Sequence, residues 1–209
     1  MFYFVKTPGW LKKVYHDRIW DMPDKEKDTL YLSFDDGPHP TITPALLDLL
    51  QNYQAKATFF CIGENVKKYP DVYQRILQEG HAVGNHTQTH LNGWKTKDEI
   101  YLADIRQAAN SIESNLFRPP YGRMTRFQQK QLMRQPHPLQ VVMWSVISGD
   151  FDVRIHPERC LQNVLYNSKP GSIIVFHDSD KAKKNMEFAV PRTLNYFSKQ
   201  GFSFDKIEV

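Results

Sequence analysis

Along most of its length the chain alternates short apolar, β-rich runs with stretches of helical period. That alternation restricts the fold more than any other feature. Strand patterns cover Thr29–Phe34, Ala55–Ile62, His81–Gly84, Gln140–Val146, Ser172–Phe176 and Phe202–Ile207. Helical patterns cover Thr43–Tyr53, Asp71–Glu79 (stopped by Gly80), Lys97–Asn115 (with Thr96 as N-cap), Pro157–Tyr166 and Phe188–Lys199. Strands separated by helices imply βαβ crossovers and a mostly parallel sheet. About seven such units either close into a small barrel or stay open and doubly wound, and the pattern alone does not separate the two. In either architecture the C-terminal ends of the strands carry the site. Asp35 and Asp36 follow one strand, His86 another and His177 another.

A length of 209 residues suits one domain, 1–209. A hydrophobic fraction of 41% supplies a core. The aromatic share is 13%; sugar-binding grooves use such rings, although filling a core accounts for any single ring equally well. A net charge of +4 is spread over lysines and arginines in runs no longer than two, which argues against a nucleic-acid footprint. Two cysteines exclude a disulfide framework, and Cys61, ending Thr58-Phe59-Phe60, reads as a buried thiol. No stretch reaches the length of a membrane span and no secretion-signal pattern is visible, so a cytoplasmic location is the default expectation. Oligomeric state leaves no trace in the sequence.

Four segments carry candidate chemistry. In Ser33-Phe34-Asp35-Asp36-Gly37-Pro38 an apolar strand runs into two carboxylates and a turn. Adjacent side chains on a strand point to opposite faces, so the pair must converge through the strand end or the turn. Two close carboxylates repel unless a cation lies between them. A solvated turn explains the same residues equally well. In His86-Thr87-Gln88-Thr89-His90 the two histidines share a face if the segment is a helical turn, and both then reach one metal ion. A pair of surface histidines is the plain alternative. With one aspartate such a pair gives three protein ligands and leaves a fourth position open, as in catalytic zinc sites. Arg118-Pro119-Pro120-Tyr121-Gly122 reads as a rigid loop after a helix, with Arg118 able to orient a carboxylate. His177, directly after an apolar strand, suits a general acid because its unperturbed pKa lies near working pH. A core histidine is the plain alternative there. His39, His81, His137 and His156 belong to no paired spacing and are not expected to be ligands.

Taken in order, these segments resemble the polysaccharide deacetylases, the NodB-like domains of carbohydrate esterase family four. Ala57-Thr58-Phe59-Phe60-x-Ile62-Gly63 and Glu79-Gly80-His81-x-Val83-Gly84-Asn85 extend the resemblance, which covers residues 30–204. It implies a distorted (β/α) barrel of about seven strands, related to the TIM barrel. It also implies a hydrolase that removes N-acetyl groups from a glycan such as peptidoglycan or a chitin-type oligomer. Asp36, His86 and His90 resemble the ligands of one divalent metal, usually zinc, although cobalt, nickel or iron suits the same donors. Asp35 resembles the catalytic base, Arg118 the arginine that holds it, the Tyr121 N–H the oxyanion donor and His177 the general acid.

Two departures stand out. Where the family usually has an aspartate after Trp-x-Val, Trp144-Ser145-Val146 is followed by Ile147, and the later Asp-Trp reads Asp150-Phe151. The usual aspartate favours the charged form of the acid histidine. Asp150 is the candidate substitute, able to reach Arg118 or His177; Asp152 and Asp178 are weaker ones. Two other readings remain open: an O-acetyl esterase on xylan-type glycans, and a weakly active or non-catalytic carbohydrate-binding relative.

Overall fold

The structure is a computed structural model that describes residues 3–23, 28–134 and 138–209. His137 lies outside the described residues. In chain order the helices are α1 (Gly9–Val14), α2 (Ile42–Asn52), α3 (Gly63–Lys68), α4 (Pro70–Gln78), α5 (Asp98–Ala109), α6 (Arg126–Met133), α7 (Pro157–Leu165) and α8 (Lys183–Lys199). The strands are β1 (Thr29–Asp35), β2 (Ala57–Cys61), β3 (Ala82–Asn85), β4 (Leu116–Phe117), β5 (Gln140–Val141), β6 (Val146–Ile147), β7 (Ile173–His177) and β8 (Ser203–Phe204). Seven strands follow the order β5-β4-β3-β2-β1-β7-β6, all paired in parallel, and β8 pairs with the start of β1. They curl into the distorted (β/α) barrel that the alternation and the resemblance imply.

Strand β1 shows how the sequence sets the layers. Every residue of it is buried, and its two-residue period splits the faces. Leu30, Leu32 and Phe34 join the core under the helices with Leu47, Val190 and Leu194. Phe34 stacks against its register partners Phe59 of β2 and Phe176 of β7, with ring centroids 5.3 and 6.1 Å away. Tyr31 points to the opposite side and packs with Phe60, Val142 and Ile173. Ser33 and Asp35 follow on that same inner face.

The strand expected over Gln140–Val146 is instead two short strands with a break between them. The cause lies in the barrel: the Val142 and Met143 carbonyls accept from Arg118 Nε at 3.2 Å and Nη2 at 2.9 Å. The N-terminal segment runs along this break. Ile19 N–H donates to Val141 O at 2.9 Å, Met143 N–H to Ile19 O at 2.7 Å, Thr7 N–H to Ser145 O at 2.9 Å and Ile147 N–H to Val5 O at 2.9 Å.

Other boundaries also move. Helix α5 starts at Asp98 with Lys97 at the cap position, so Thr96 is not the cap, and it stops at Ala109, well short of Asn115. Ile112 keeps the apolar period because it is buried in the core beyond the helix end. Ser114 then accepts the Leu116 N–H and donates to Val83 O, which turns the chain into β4. Helix α8 begins at Lys183, its polar first turn having hidden it, and β8 is shorter than Phe202–Ile207. Helices α1, α3 and α6 and strand β4 carry no period long enough to read. Cys61 and Cys160 are both free and buried. Among the described residues, no helix is long and apolar enough to cross a membrane.

Candidate active site

The two adjacent carboxylates take different routes to one place. Asp35 ends β1 on the inner face, where Arg118 Nη1 donates to its Oδ1 at 2.7 Å. Arg118 is fully buried and also donates to Ser33 Oγ at 2.8 Å, and its guanidinium lies 3.9 Å from the Phe60 ring centroid. Every nitrogen of its planar fork therefore has a partner, which fixes the Asp35 carboxylate. Asp36 would point away on a continued strand, but its backbone turns to a positive φ of 82°. That left-handed turn brings the second carboxylate round to the same end of the barrel. Asn65 Nδ2 donates to the Asp36 carbonyl at 2.7 Å and holds the turn. A Cβ on Gly37 would stand 2.1 Å from Asp178 Oδ2, so the chain passes where only glycine fits.

His86 follows β3, and His90 lies in the loop beyond it. The segment is not the helical turn that the spacing suggests: Thr87 and His90 have φ of 66° and 60°. Its amides are claimed elsewhere. Asp104 Oδ2 of α5 accepts the Gln88 N–H at 2.8 Å and the Thr89 N–H at 3.0 Å, and Oδ1 accepts the Thr89 hydroxyl at 2.9 Å. Asn85 Oδ1 accepts the Thr87 N–H at 2.8 Å. The loop still brings both imidazoles to Asp36: His90 Nε2 is 3.2 Å and His86 Nε2 3.8 Å from Asp36 Oδ1.

These three residues form a set whose donor atoms lie within 4.8 Å of one another, the arrangement of a metal site. Asp36 Oδ1 is buried with no hydrogen-bond partner, which fits an atom shaped to meet a cation. His86 Nδ1 lies 2.7 Å from Arg118 O, which assigns the N–H to Nδ1 and leaves Nε2 as the lone-pair donor. Burial pulls the His86 pKa down to about 4, against the raising effect of Asp35, so the ring is neutral as a ligand must be. Burial alone would raise the Asp36 pKa, but His90, His177 and His86 together hold its carboxyl well below the usual range. His39 turns to Asp180 at 3.3 Å, His81 packs on Phe59, and His156 precedes α7.

His177 ends β7 beside Asp35 of β1. Asp150 holds it at two points: Oδ2 accepts the His177 N–H at 2.7 Å and Oδ1 lies 2.8 Å from Nδ1. Burial would lower the imidazole pKa, but Asp150, then Asp36 and Asp35, push it up to about 10. Of the three acids weighed for this task, Asp152 pairs with Arg154 and Asp178 accepts a short bond from Thr43. Burial and the Asp36 charge raise Asp178 to about 7, the Thr43 bond acting the other way. The ring of Phe151 packs edge-on to His177 at 5.2 Å.

Arg118-Pro119-Pro120-Tyr121-Gly122 follows strand β4 rather than a helix, and Pro120–Gly122 forms a 3-10 turn. Tyr121 has a φ of 60°, and its ring lies 4.7 Å from that of His90. The Tyr121 N–H donates to no described residue, so it is free for a ligand. Sequence reasoning missed Asp104 and Asn65. Asp104 had a signal: it shares the buried helical face of Tyr101, Ile105 and Ala108, where a carboxylate needs partners.

The family model for polysaccharide deacetylase matches residues 23–135. The chain is 36% identical over 191 residues to a peptidoglycan-N-acetylglucosamine deacetylase of Bacillus cereus, covering 88% of each. It is 36% identical over 164 residues to a chitooligosaccharide deacetylase of Azorhizobium caulinodans, covering 74% of this chain and 75% of that protein. Among solved structures, the Bc1960 peptidoglycan N-acetylglucosamine deacetylase in complex with 4-naphthalen-1-yl-N-oxidanyl-benzamide is similar with a TM-score of 0.86. Its identity is 31%, over 96% of this chain and 95% of that one.

Proposed function

The chain belongs to the polysaccharide deacetylase family, and from that premise we propose that it hydrolyses N-acetyl groups of an N-acetylglucosamine polymer with the help of one divalent metal. The observation that carries this reading is the meeting of three metal donors with an arginine-held carboxylate and a carboxylate-backed histidine at one end of the barrel. Asp36, His86 and His90 would hold the ion. Bound there, a zinc-like metal supplies Lewis acidity, which makes water acidic near neutral pH and polarises a carbonyl.

Each remaining group of the chain has one task. Asp35, oriented by Arg118, takes a proton from the attacking water. The Tyr121 N–H donates to the oxyanion as the acetyl carbonyl becomes tetrahedral. His177 gives its proton to the leaving nitrogen, and Asp150 keeps that proton on the ring until then. Acetate and a free amine remain.

Asp150 also weakens the reading of a retired site, whose one support was Ile147. The test is acetate release from N-acetylglucosamine oligomers and from O-acetylated xylan, after metal removal and re-addition. We expect release from the oligomers that depends on metal. Asp35→Asn should keep the metal and lose turnover by about 10³-fold or more, the scale of a lost general base with its charge. His86→Ala should lose both, because two ligands make a weak site. Parental activity in Asp35→Asn, or release from the xylan alone, rejects the proposal.

A further inference from the structure

The loop that follows β6 carries Asp150, and Asp150 holds the general acid. The inner side of this loop is tied to two helices. Asn163 Nδ2 of α7 donates to Ser148 O at 2.9 Å, and Asn185 Nδ2 of α8 donates to Asp150 O at 3.1 Å. Another side of the loop is met by Tyr3, two residues ahead of the point where Val5 joins β6. The Tyr3 hydroxyl stands over Gly149, where a Cβ would lie 2.6 Å from it. Gly149 also has a φ of 81°, so two independent constraints ask for glycine there. The Tyr3 ring packs on Phe151, with centroids 5.2 Å apart and planes tilted by 58°. Phe151 meets His177 at the same separation, with planes at 72°. Phe151 therefore lies between two rings, one from the start of the chain and one from the end of β7.

Asp150 alone does not fix the point from which His177 gives its proton. Its contact with Nδ1 pins one edge of the imidazole. The ring can still tilt about that edge, and a tilt carries Nε2 sideways. Packing against the ring removes this freedom, and Phe151 supplies the packing. Phe151 is itself only half-buried on a loop, so its rotamer needs backing from behind. Side chains in a site keep their geometry when the residues behind them are locked by packing. A displacement of about 1 Å in such a group costs rate on the order of 10²-fold.

We propose that Tyr3 is a positioning residue for the general acid: it clamps Phe151 against His177 and so fixes Nε2 at the leaving nitrogen. The clamp acts on the loop from outside the barrel, through the ring and not through a bond to the reacting atoms. It adds to the hold of Asp150 on Nδ1 and does not replace it. This inference rests on the deacetylase reading above.

The test compares two leaving groups on the zinc-loaded protein. The amine of N-acetylated chitotetraose must gain a proton as it leaves, whereas the phenolate of 4-nitrophenyl acetate leaves without one. Attack by water is common to both. A misplaced acid therefore slows the first substrate alone, and loss of fold or of metal slows both alike. Tyr3→Ala should lower kcat for acetate release from chitotetraose about 10–100-fold, the scale of a displaced catalytic group. Its rate on the aryl ester should stay near that of the parent. Tyr3→Phe keeps a ring on Phe151 and should restore most of the kcat. A parental kcat in Tyr3→Ala overturns the inference and leaves the deacetylase reading standing. An equal fall on both substrates also overturns it, because Tyr3 would then serve the fold or the metal and not the acid. So does a Tyr3→Phe variant as slow as Tyr3→Ala, since the clamp would not be the ring. No acetate from chitotetraose with the parent overturns the deacetylase reading and the inference with it.

Discussion

At the scale of single residues, the site depends on which acid serves which base. Asp150 holds two polar positions of His177, its N–H and its Nδ1, and leaves Nε2 to give the proton. Ile147 lies apart, in the wall of a groove that Trp10, Trp94 and Tyr121 also line. The protonated His177 is the form that gives up a proton, so kcat/KM must fall as pH rises through its pKa. Asp150→Asn removes the charge that raises that pKa, so the alkaline limb should move to lower pH by about one to two units. Ile147→Asp should move it little, because Nδ1 is already taken. An unmoved limb in Asp150→Asn would take the role of titrating acid away from His177. The adjacency of Asp35 and Asp36 was legible in the sequence, as was the need for them to converge. The device was not: a φ of 82° at Asp36 depends on Asn65 and on the close passage of Gly37 against Asp178. Asp150 was the first choice among the three acids from its place in the sequence, but whether it would meet Arg118 or His177 was out of reach, since that depends on how the loop after β6 folds.

At the scale of elements, the buried strands β1, β2 and β7 were readable because they are unbroken apolar runs. The strand expected over Gln140–Val146 was misread because apolarity does not reveal where a carbonyl points, and two of these carbonyls serve Arg118. The His86–His90 loop was misread for a related reason. Its spacing fits a helical turn, but its amides belong to Asp104. Asp104 thus links helix α5 to the loop of His86 and His90 without touching either imidazole. Asp104→Ala should free the Gln88 and Thr89 amides and let both imidazoles wander. We expect the metal Kd to rise by about 10–100-fold, the usual cost of losing support behind a ligand. Competition with a chelator measures it. Asp104→Asn, which keeps one acceptor oxygen, should fall between. An unchanged Kd in the alanine variant would mean that Asn85 and the strand end hold the loop on their own.

At the scale of the whole molecule, the N-terminal segment has two tasks, and they separate by burial. One task is to cover the break between β5 and β6, where the backbone carbonyls that hold Arg118 lie. Trp20 anchors that cover: it is 7% exposed, packs in the same cluster as Phe117, Leu132 and Met143, and its Nε1 donates to Tyr15 O at 2.9 Å. The other task is to wall the groove beside Tyr121, with Trp10 turned outward at 61% exposure. Trp20→Ala leaves a cavity, although Tyr15 O keeps the Arg18 N–H as a donor, so unfolding free energy should drop by about 3–5 kcal/mol and Tm by about 6–20 °C. Trp10→Ala removes a surface ring and should stay within about 0.5 kcal/mol of the parent in stability. Thermal unfolding of the two variants beside the parent measures both changes. If Trp10→Ala lowered Tm as much as Trp20→Ala does, the outward ring would be part of the fold rather than of the groove. If Trp20→Ala left Tm in place, the break between β5 and β6 would not need the segment, and Arg118 would owe its position to β4 and the barrel interior alone.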